Sequence, residues 1–234
     1  MQGPLALVGG DELKPGNEPQ DELLATAAGT GPAYVIATAA ARQRPELAVR
    51  HAQGWFARFG LDVQELPART RTQAKAAENV VRAAEGRLFY LVGGDPGLTV
   101  GTLAGTPLWD AIVGAWREGA SLAGSSAGAM ALGAWSLVRG RYKGDAQRRF
   151  KDALGLVPGV AVAPHFETFG RRWVGSGQAT GREVVLVGID GRSAAVWYEG
   201  TWRAMGPGAV TVITGGEHAR FEAGQAIAGL PDPH

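Results

Sequence analysis

Apolar residues along this chain fall into two patterns. Short unbroken runs stand at residues 5–8, 33–38 and 87–92, where only Arg87 is charged. Runs of this length predict strands covered on both faces. Residues 61–66 alternate instead, which predicts a further strand. Between these lie longer stretches with helical spacing. Residues 45–59 carry Leu47, Val49, His51, Trp55, Phe56 and Phe59 at broadly helical spacing, begin at a proline suited to a first turn and stop at Gly60. Residues 21–28, 72–85, 97–103 and 107–118 predict further helices, the last with Trp109, Ile112, Val113 and Trp116 on its apolar face. Strand and helix alternate, which predicts a mostly parallel sheet with helices on both faces.

Past residue 150 strands dominate. Residues 160–163, 183–190, 194–198, 201–205 and 210–214 predict strands, with turns at Glu199-Gly200 and Gly206-Pro207-Gly208. Residues 169–175 predict a short helix. Residues 139–150 hold Arg139, Arg141, Lys143, Arg148 and Arg149, the pattern of a solvated loop or helix face. The stretch from Gly224 reads as a frayed end. The whole chain, 1–234, reads as one α/β domain, with strands at about 193–214 as an appended hairpin region.

Residues 120–133 carry the densest chemistry. Ser121-Leu122-Ala123 closes a buried strand. Gly124-Ser125-Ser126-Ala127-Gly128 fits Gly-x-Ser-x-Gly, and Ala129-Met130-Ala131-Leu132 opens a helix of strong helix formers. Strand, tight turn and helix make the setting of a nucleophile elbow. Small neighbours let the backbone fold sharply, and the helix start favours developing negative charge. The flanking glycines centre on Ser126, so Ser126 is the candidate nucleophile and Ser125 its rival. The alternative is a small-residue turn with no chemistry.

Two more loops follow strands directly. Leu91-Val92 runs into Gly93-Gly94-Asp95, whose backbone N–H groups at Gly94 and Asp95, with that of Ala127, are candidates for an oxyanion hole. Pro164-His165-Phe166-Glu167 follows the strand at 160–163, and a histidine at a strand end is well placed as a general base. The first strand ends in Gly9-Gly10-Asp11-Glu12. Its two acids either point into a site or, more commonly, lie on a solvated loop.

Composition narrows the field. The net charge of +1 gives no argument for nucleic acid or an anionic membrane surface, and no apolar run reaches spanning length. Absence of cysteine excludes a thiol nucleophile and a disulfide scaffold. No metal-ligating constellation stands out, and no cofactor is implied. The first residues lack a basic region followed by an apolar run, so a cytoplasmic protein is the expectation.

The three loops Leu91-Val92-Gly93-Gly94-Asp95, Gly124-Ser125-Ser126-Ala127-Gly128-Ala129 and Pro164-His165-Phe166, in this order, resemble the peptidase E/cyanophycinase family of serine peptidases. Val8-Gly9-Gly10 and Gly188-Ile189-Asp190 add to the likeness, which covers nearly the whole chain. The resemblance implies a three-layer flavodoxin-like fold of the class I glutamine amidotransferase kind. It implies Ser126 as nucleophile, His165 as base, and an oxyanion hole around Gly94 and Ala127. It leaves the third triad member open. Family members often carry an acid just after Gly-Ile-Asp, where this chain has Gly191. Glu167 at His-x-Glu spacing, Asp190 and the more distant Asp145 are the candidates, with Glu167 favoured slightly. Arg171, Arg172 or the basic segment are candidates for binding a substrate carboxylate.

Cyanophycin-degrading members have Asp-Gln before the histidine. Here Ala163-Pro164 stands there, closer to the peptidase E branch. The expected activity is therefore exopeptidase action on dipeptides or short peptides, among them peptides with N-terminal aspartate. A cyanophycinase-like hydrolase and a non-catalytic binding module are the alternatives. Monomers and dimers both occur among relatives, which leaves a homodimer open.

Overall fold

The computed structural model describes residues 1–139, 148–175 and 184–234. Its first half alternates as the pattern predicts: β1 (Leu5–Val8), α1 (Glu18–Ala28), β2 (Ala33–Ile36), α2 (Pro45–Phe56), β3 (Val63–Glu65), α3 (Ala77–Ala84), β4 (Leu88–Leu91), α4 (Pro96–Leu103), α5 (Pro107–Arg117), β5 (Ser121–Ser125) and α6 (Ala127–Leu132). The second half holds β6 (Gly133–Arg139), β7 (Arg148–Asp152), β8 (Val157–Pro164), β9 (Val185–Ile189), β10 (Ala194–Tyr198), β11 (Thr201–Met205), β12 (Ala209–Thr214) and β13 (Glu217–Glu222).

The strands form two mixed sheets. The first has the order β11-β10-β1-β5-β4-β2-β3, and the second β13-β12-β9-β8-β6-β7. In the first sheet β1, β5, β4, β2 and β3 run parallel, while β10 pairs antiparallel with the free edge of β1 and β11 antiparallel with β10.

Successive strand residues face opposite sides, so an unbroken apolar run must be covered twice. Leu5, Leu7, Tyr34, Ile36, Phe89 and Leu91 face one core, shared with Ile112 and Trp116 of α5 and Met130 of α6. Ala6, Val8, Ala33, Val35, Leu88 and Tyr90 face the other, shared with Leu24 of α1 and Phe56 of α2. The expected α/β layering, mostly parallel with helices on both faces, is therefore present. The second sheet packs into the first of these cores through Val160, Ala161, Val162 and Val187.

Several local expectations are corrected. The helix expected over 72–85 breaks at Ala76, which is extended (ψ 125°), into a 3-10 turn at Gln73–Lys75 and then α3. Asn79 holds the break in place: its side-chain amide donates to Pro67 O and Gln73 O, capping the turn from below. The loop expected over 139–150 is, in its described part, strand β7 pairing antiparallel with β6. Arg141, Lys143 and Asp145 lie outside the described residues. The end from Gly224 is docked, not frayed. Gly224 N–H donates to Ala204 O, Ile227 N–H to Trp202 O and His234 N–H to Leu156 O, and the Trp202 indole N–H donates to Pro231 O.

Candidate functional site

The site forms at the carboxyl edge of the first sheet, where β1, β4 and β5 all end. Ser126 follows β5 with φ 49° and ψ −108°, a conformation a side chain adopts only under strain. Ser126 is the N-cap of α6, and its carbonyl accepts from Met130 N–H. The two glycines of the motif permit this geometry by close approach. A methyl on Gly124 would lie 2.5 Å from the Gly128 carbonyl carbon, and one on Gly128 would overlap the Leu91 carbonyl. With six residues, α6 offers first-turn N–H groups rather than a long dipole.

Serine and histidine are brought together by the end of β1. Ser126 N–H donates to Val8 O at 2.9 Å, and His165 N–H donates to Gly9 O at 2.7 Å. Consecutive carbonyls thus hold the two chain segments at one place. His165 also has positive φ, 48°. Its ring lies against Gly10, where any methyl would overlap the imidazole around Nε2. The Phe169 ring covers His165 with centroids 5.0 Å apart. No hydrogen bond joins Ser126 Oγ to the imidazole here, a looseness common before substrate binds.

Strain concentrates here. Of the six non-glycine residues with positive φ among the described residues, Ser126 and His165 are two, and Asp11, Leu13 and Arg192 belong to the loops beside them. Arg192 N–H donates to Gly10 O, which ties those loops together.

Ser125, the rival nucleophile, is fully buried and donates its hydroxyl to Glu12 Oε2 at 2.9 Å. Of the expected oxyanion donors, Asp95 N–H is already bonded to Ala39 O at 2.9 Å. Its carboxylate caps α4 by accepting from Gly97 N–H. Gly93 N–H donates to Glu12 Oε1 at 2.8 Å. Gly94, between them, and Ala127 at the first position of α6 both line the adjoining cavity. Gly94 N–H has no acceptor among the described residues, and an N–H at a helix's first position has none within the helix.

The three acids divide differently from the sequence expectation. Glu167 is exposed and accepts from Gly191 N–H at 3.0 Å. Asp190 is buried, accepts from Ala209 N–H and pairs with Arg220 at 3.6 Å. The described carboxylate that faces the imidazole is Asp11, with Oδ2 3.9 Å from His165 Nδ1. Lys14, hydrogen-bonded to Asp11 at 3.0 Å, holds the Asp11 carboxyl below its usual range, with His165 and Arg192 adding to the effect against partial burial. Asp11 Oδ2 and Glu167 Oε1 each lie 3.1 Å from where a side chain on Gly191 would begin. The two carboxylates thus flank the space that the glycine leaves. The signal for Asp11 was present in the sequence as an acid straight after a strand-end glycine pair. Its direction depends on a positive φ (53°) that no pattern reveals.

A cavity of about 780 Å³ opens beside Ser126. Gly94, Asp95, Ala127, Lys151, Phe169 and Trp173 are among the residues on its wall. Arg171 and Arg172, expected to bind a carboxylate, are exposed and are not on that wall; Arg171 lies over the Phe166 ring at 5.6 Å. Among the described residues Lys151 is the cation on that wall, beside Asp95 and Asp152; it is brought by strand β7, whose charged sequence carries no strand pattern.

Below the site lies a buried polar layer. Asp21 of α1 accepts from the Trp55 indole N–H at 2.8 Å. Burial pushes its carboxyl up to about 8 against that hydrogen bond, with the charges of Glu12 and Glu18 adding to the rise. The fully buried Tyr90 hydroxyl is pushed well up by burial and by the same acidic neighbours, Asp21 and Glu12.

Among the described residues, no helix is long and apolar enough to cross a membrane and no group of three acidic or histidine side chains forms a metal site.

The family model described as Peptidase family S51 matches residues 5–201. A cyanophycinase from Geminocystis herdmanii (strain PCC 6308) is 27% identical over 222 residues, covering 92% of this chain and 82% of that protein. A crystal structure of a peptidase from an acI-B1 Actinobacterium superposes with a TM-score of 0.84 at 30% identity, covering 97% of each chain. A putative peptidase E protein from Listeria monocytogenes EGD-e superposes with a TM-score of 0.60 at 16% identity, covering 94% of this chain and 98% of that one, a likeness of fold.

Proposed function

The chain belongs to peptidase family S51 and is a serine peptidase, and on that premise we propose that it is an exopeptidase for dipeptides and short peptides, with Ser126 as nucleophile, His165 as base and Asp11 as the acid that orients the imidazole. Ser126 Oγ attacks the scissile carbonyl while His165 takes its proton. The oxyanion is received by the N–H groups of Gly94 and Ala127. Collapse expels the amine, which takes the proton from the imidazolium. Water then adds to the acyl-serine with His165 again as base, releasing the carboxylate and restoring Ser126.

The observation that carries this reading is the pair of bonds from Ser126 N–H and His165 N–H to Val8 O and Gly9 O. Loops from β5 and β8, 39 positions apart in sequence counting from Ser126 to His165, have no structural need to share one strand end. Substrate size follows from the cavity, about 780 Å³, within the range of small-molecule pockets. Lys151 on its wall supplies the cation for a substrate carboxylate, terminal or side-chain.

The test is a panel of Asp-X dipeptides, neutral dipeptides, longer peptides and cyanophycin. Cleavage of short peptides, lost in Ser126→Ala, supports the proposal. Cleavage of cyanophycin alone would transfer the reading to the polymer, the substrate named for the Geminocystis relative. Lys151→Ala is expected to raise KM for carboxylate-bearing peptides about tenfold with little change in kcat, the mark of lost ground-state binding.

A further inference from the structure

Glu12 has no place in the chemistry described so far, yet it touches two of its components. Its Oε1 accepts from Gly93 N–H at 2.8 Å, and its Oε2 accepts from Ser125 Oγ at 2.9 Å. Gly93 opens the loop that presents the Gly94 N–H. Ser125 is the residue before Ser126. A side chain on Gly93 would begin 3.0 Å from Glu12 Oε1 and 3.4 Å from Ser126 Cβ, so all three meet in one small space. A carboxylate accepts only, and its two oxygens take donors from the loop after β4 and from the end of β5.

We propose that Glu12 is a positioning residue for acyl transfer: its carboxylate, clamped between the Gly93 N–H and the Ser125 hydroxyl, fixes the oxyanion loop after β4 against the nucleophile elbow after β5. Several neighbouring bonds fit this role. Asp95 N–H is fixed on Ala39 O and Gly93 N–H on Glu12, which leaves the Gly94 amide between two pinned neighbours. The Ser125 side chain is held inward while Ser126 N–H is held on Val8 O, so the strained elbow is tied on both sides of one peptide. Glu12 is itself held. Asn17 Nδ2 donates to Asp11 O and Lys14 O, and Gln20 Nε2 donates to Asn17 Oδ1, bracing the loop from beneath. The pair Asp11-Glu12 thus divides its work, one acid toward the imidazole and one toward the two loops that serve the acyl group.

The inference rests on the reading of Ser126 as the acylated residue, and the experiment separates the two. Labelling of Ser126 by a fluorophosphonate is followed at rising reagent concentration in the wild-type protein, Glu12→Ala, Glu12→Gln and Ser125→Ala. Misplacing a reacting group by a fraction of its contact distance costs on the order of 10²-fold. Glu12→Ala is expected to lower the maximal labelling rate by about that factor, with the half-saturating concentration little changed. Glu12→Gln is expected to recover to within about tenfold of wild type, since its amide oxygen accepts from Gly93 N–H and its NH₂ donates to Ser125 Oγ. Ser125→Ala should fall between. Hydrogen exchange of the peptide containing Gly93 gives a readout free of chemistry, faster in Glu12→Ala and protected in Glu12→Gln. Wild-type labelling with an unaffected Glu12→Ala rate, or with Glu12→Gln as slow as Glu12→Ala, overturns the brace and leaves the proposed function standing. Absence of labelling in the wild type overturns the proposed function and the catalytic purpose of Glu12 with it.

Discussion

At the scale of single residues, the chemistry hangs on side-chain direction more than on residue type. Gly-x-Ser-x-Gly points to Ser126, and the strand-end histidine points to His165, because both patterns encode backbone demands that leave a mark in composition. The acid proposed to orient the imidazole is marked only by its place after a strand-end glycine pair. Glu167 has the right spacing from His165, but the turn through residues 165–170 sends its carboxylate to Gly191 N–H. Asp190 is buried, with its Oδ2 held by Ala209 N–H and Arg220. Asp11 faces Nδ1 because a positive φ turns it there. Asp11→Asn is therefore expected to lower kcat by about 10- to 100-fold with KM nearly unchanged, the scale of a positioned acid–base partner. Glu167→Gln should stay within a few-fold of wild type. Lys14 keeps Asp11 ionised across the neutral range, so the wild-type contribution persists to acidic pH. Steady-state kinetics on the pair decide the matter. A loss in Glu167→Gln with none in Asp11→Asn would return the role to Glu167.

At the scale of elements, the pattern of apolar runs is legible wherever an element covers itself with local residues. β1, β2 and β4 are unbroken apolar runs, β5 stands just before the Gly-x-Ser-x-Gly turn, and α2 and α5 carry helical spacing, so each could be read from the sequence. β6, β7 and β13 could not. β7 reads Arg-Arg-Phe-Lys-Asp, and β13 reads Glu-His-Ala-Arg-Phe-Glu; both are edge strands of the second sheet, where charge is tolerated on exposed faces. Pairing with a distant partner, not local propensity, makes them strands. The elbow is the opposite case, since steric need fixes its residues. Gly128→Ala would drive a methyl into the Leu91 carbonyl, which belongs to a central strand and has nowhere to move. We expect a loss of about 1–3 kcal/mol, as for overpacking, together with loss of Ser126 labelling. Gly54→Ala, in the exposed part of α2 with nothing within 4 Å, should instead gain up to about 1 kcal/mol from helix propensity. Thermal melts of the two variants give opposite signs if the backbone contact is the cause. Equal shifts would deny it.

At the scale of the whole molecule, the site's polar contents are set into an apolar frame, and the frame must bear them. Asp21 stands in the core shared by α1, α2 and the first sheet. Trp55 is its hydrogen-bond partner, and Tyr90, Glu12 and Glu18 are its nearest ionisable influences. Its carboxyl rises to about 8 in the folded protein, because burial penalises the anion. The sign of the linkage follows. Between the ordinary carboxylate value, 3.8, and about 8, the folded state holds a proton that the unfolded chain has released. Folding stability from this group is therefore fully present below the lower value. It falls as pH rises through the interval and falls no further above about 8. Each pH unit crossed within the interval costs about 1.4 kcal/mol, so the full loss is about 6 kcal/mol. Asp21→Asn removes the titration while keeping an oxygen for the Trp55 indole. The variant should match the wild type near pH 4 and melt on the order of 10–20 °C higher at pH 9, given about 2–4 °C per kcal/mol for a chain of this size. Melting curves across that interval test it, and parallel profiles for the two proteins would show that Asp21 keeps its charge in the core. The same variant bears on the site. Glu12 raises the Asp21 value through its own negative charge, so a neutral Asp21 is the state in which the acidic brace beneath the elbow meets least repulsion.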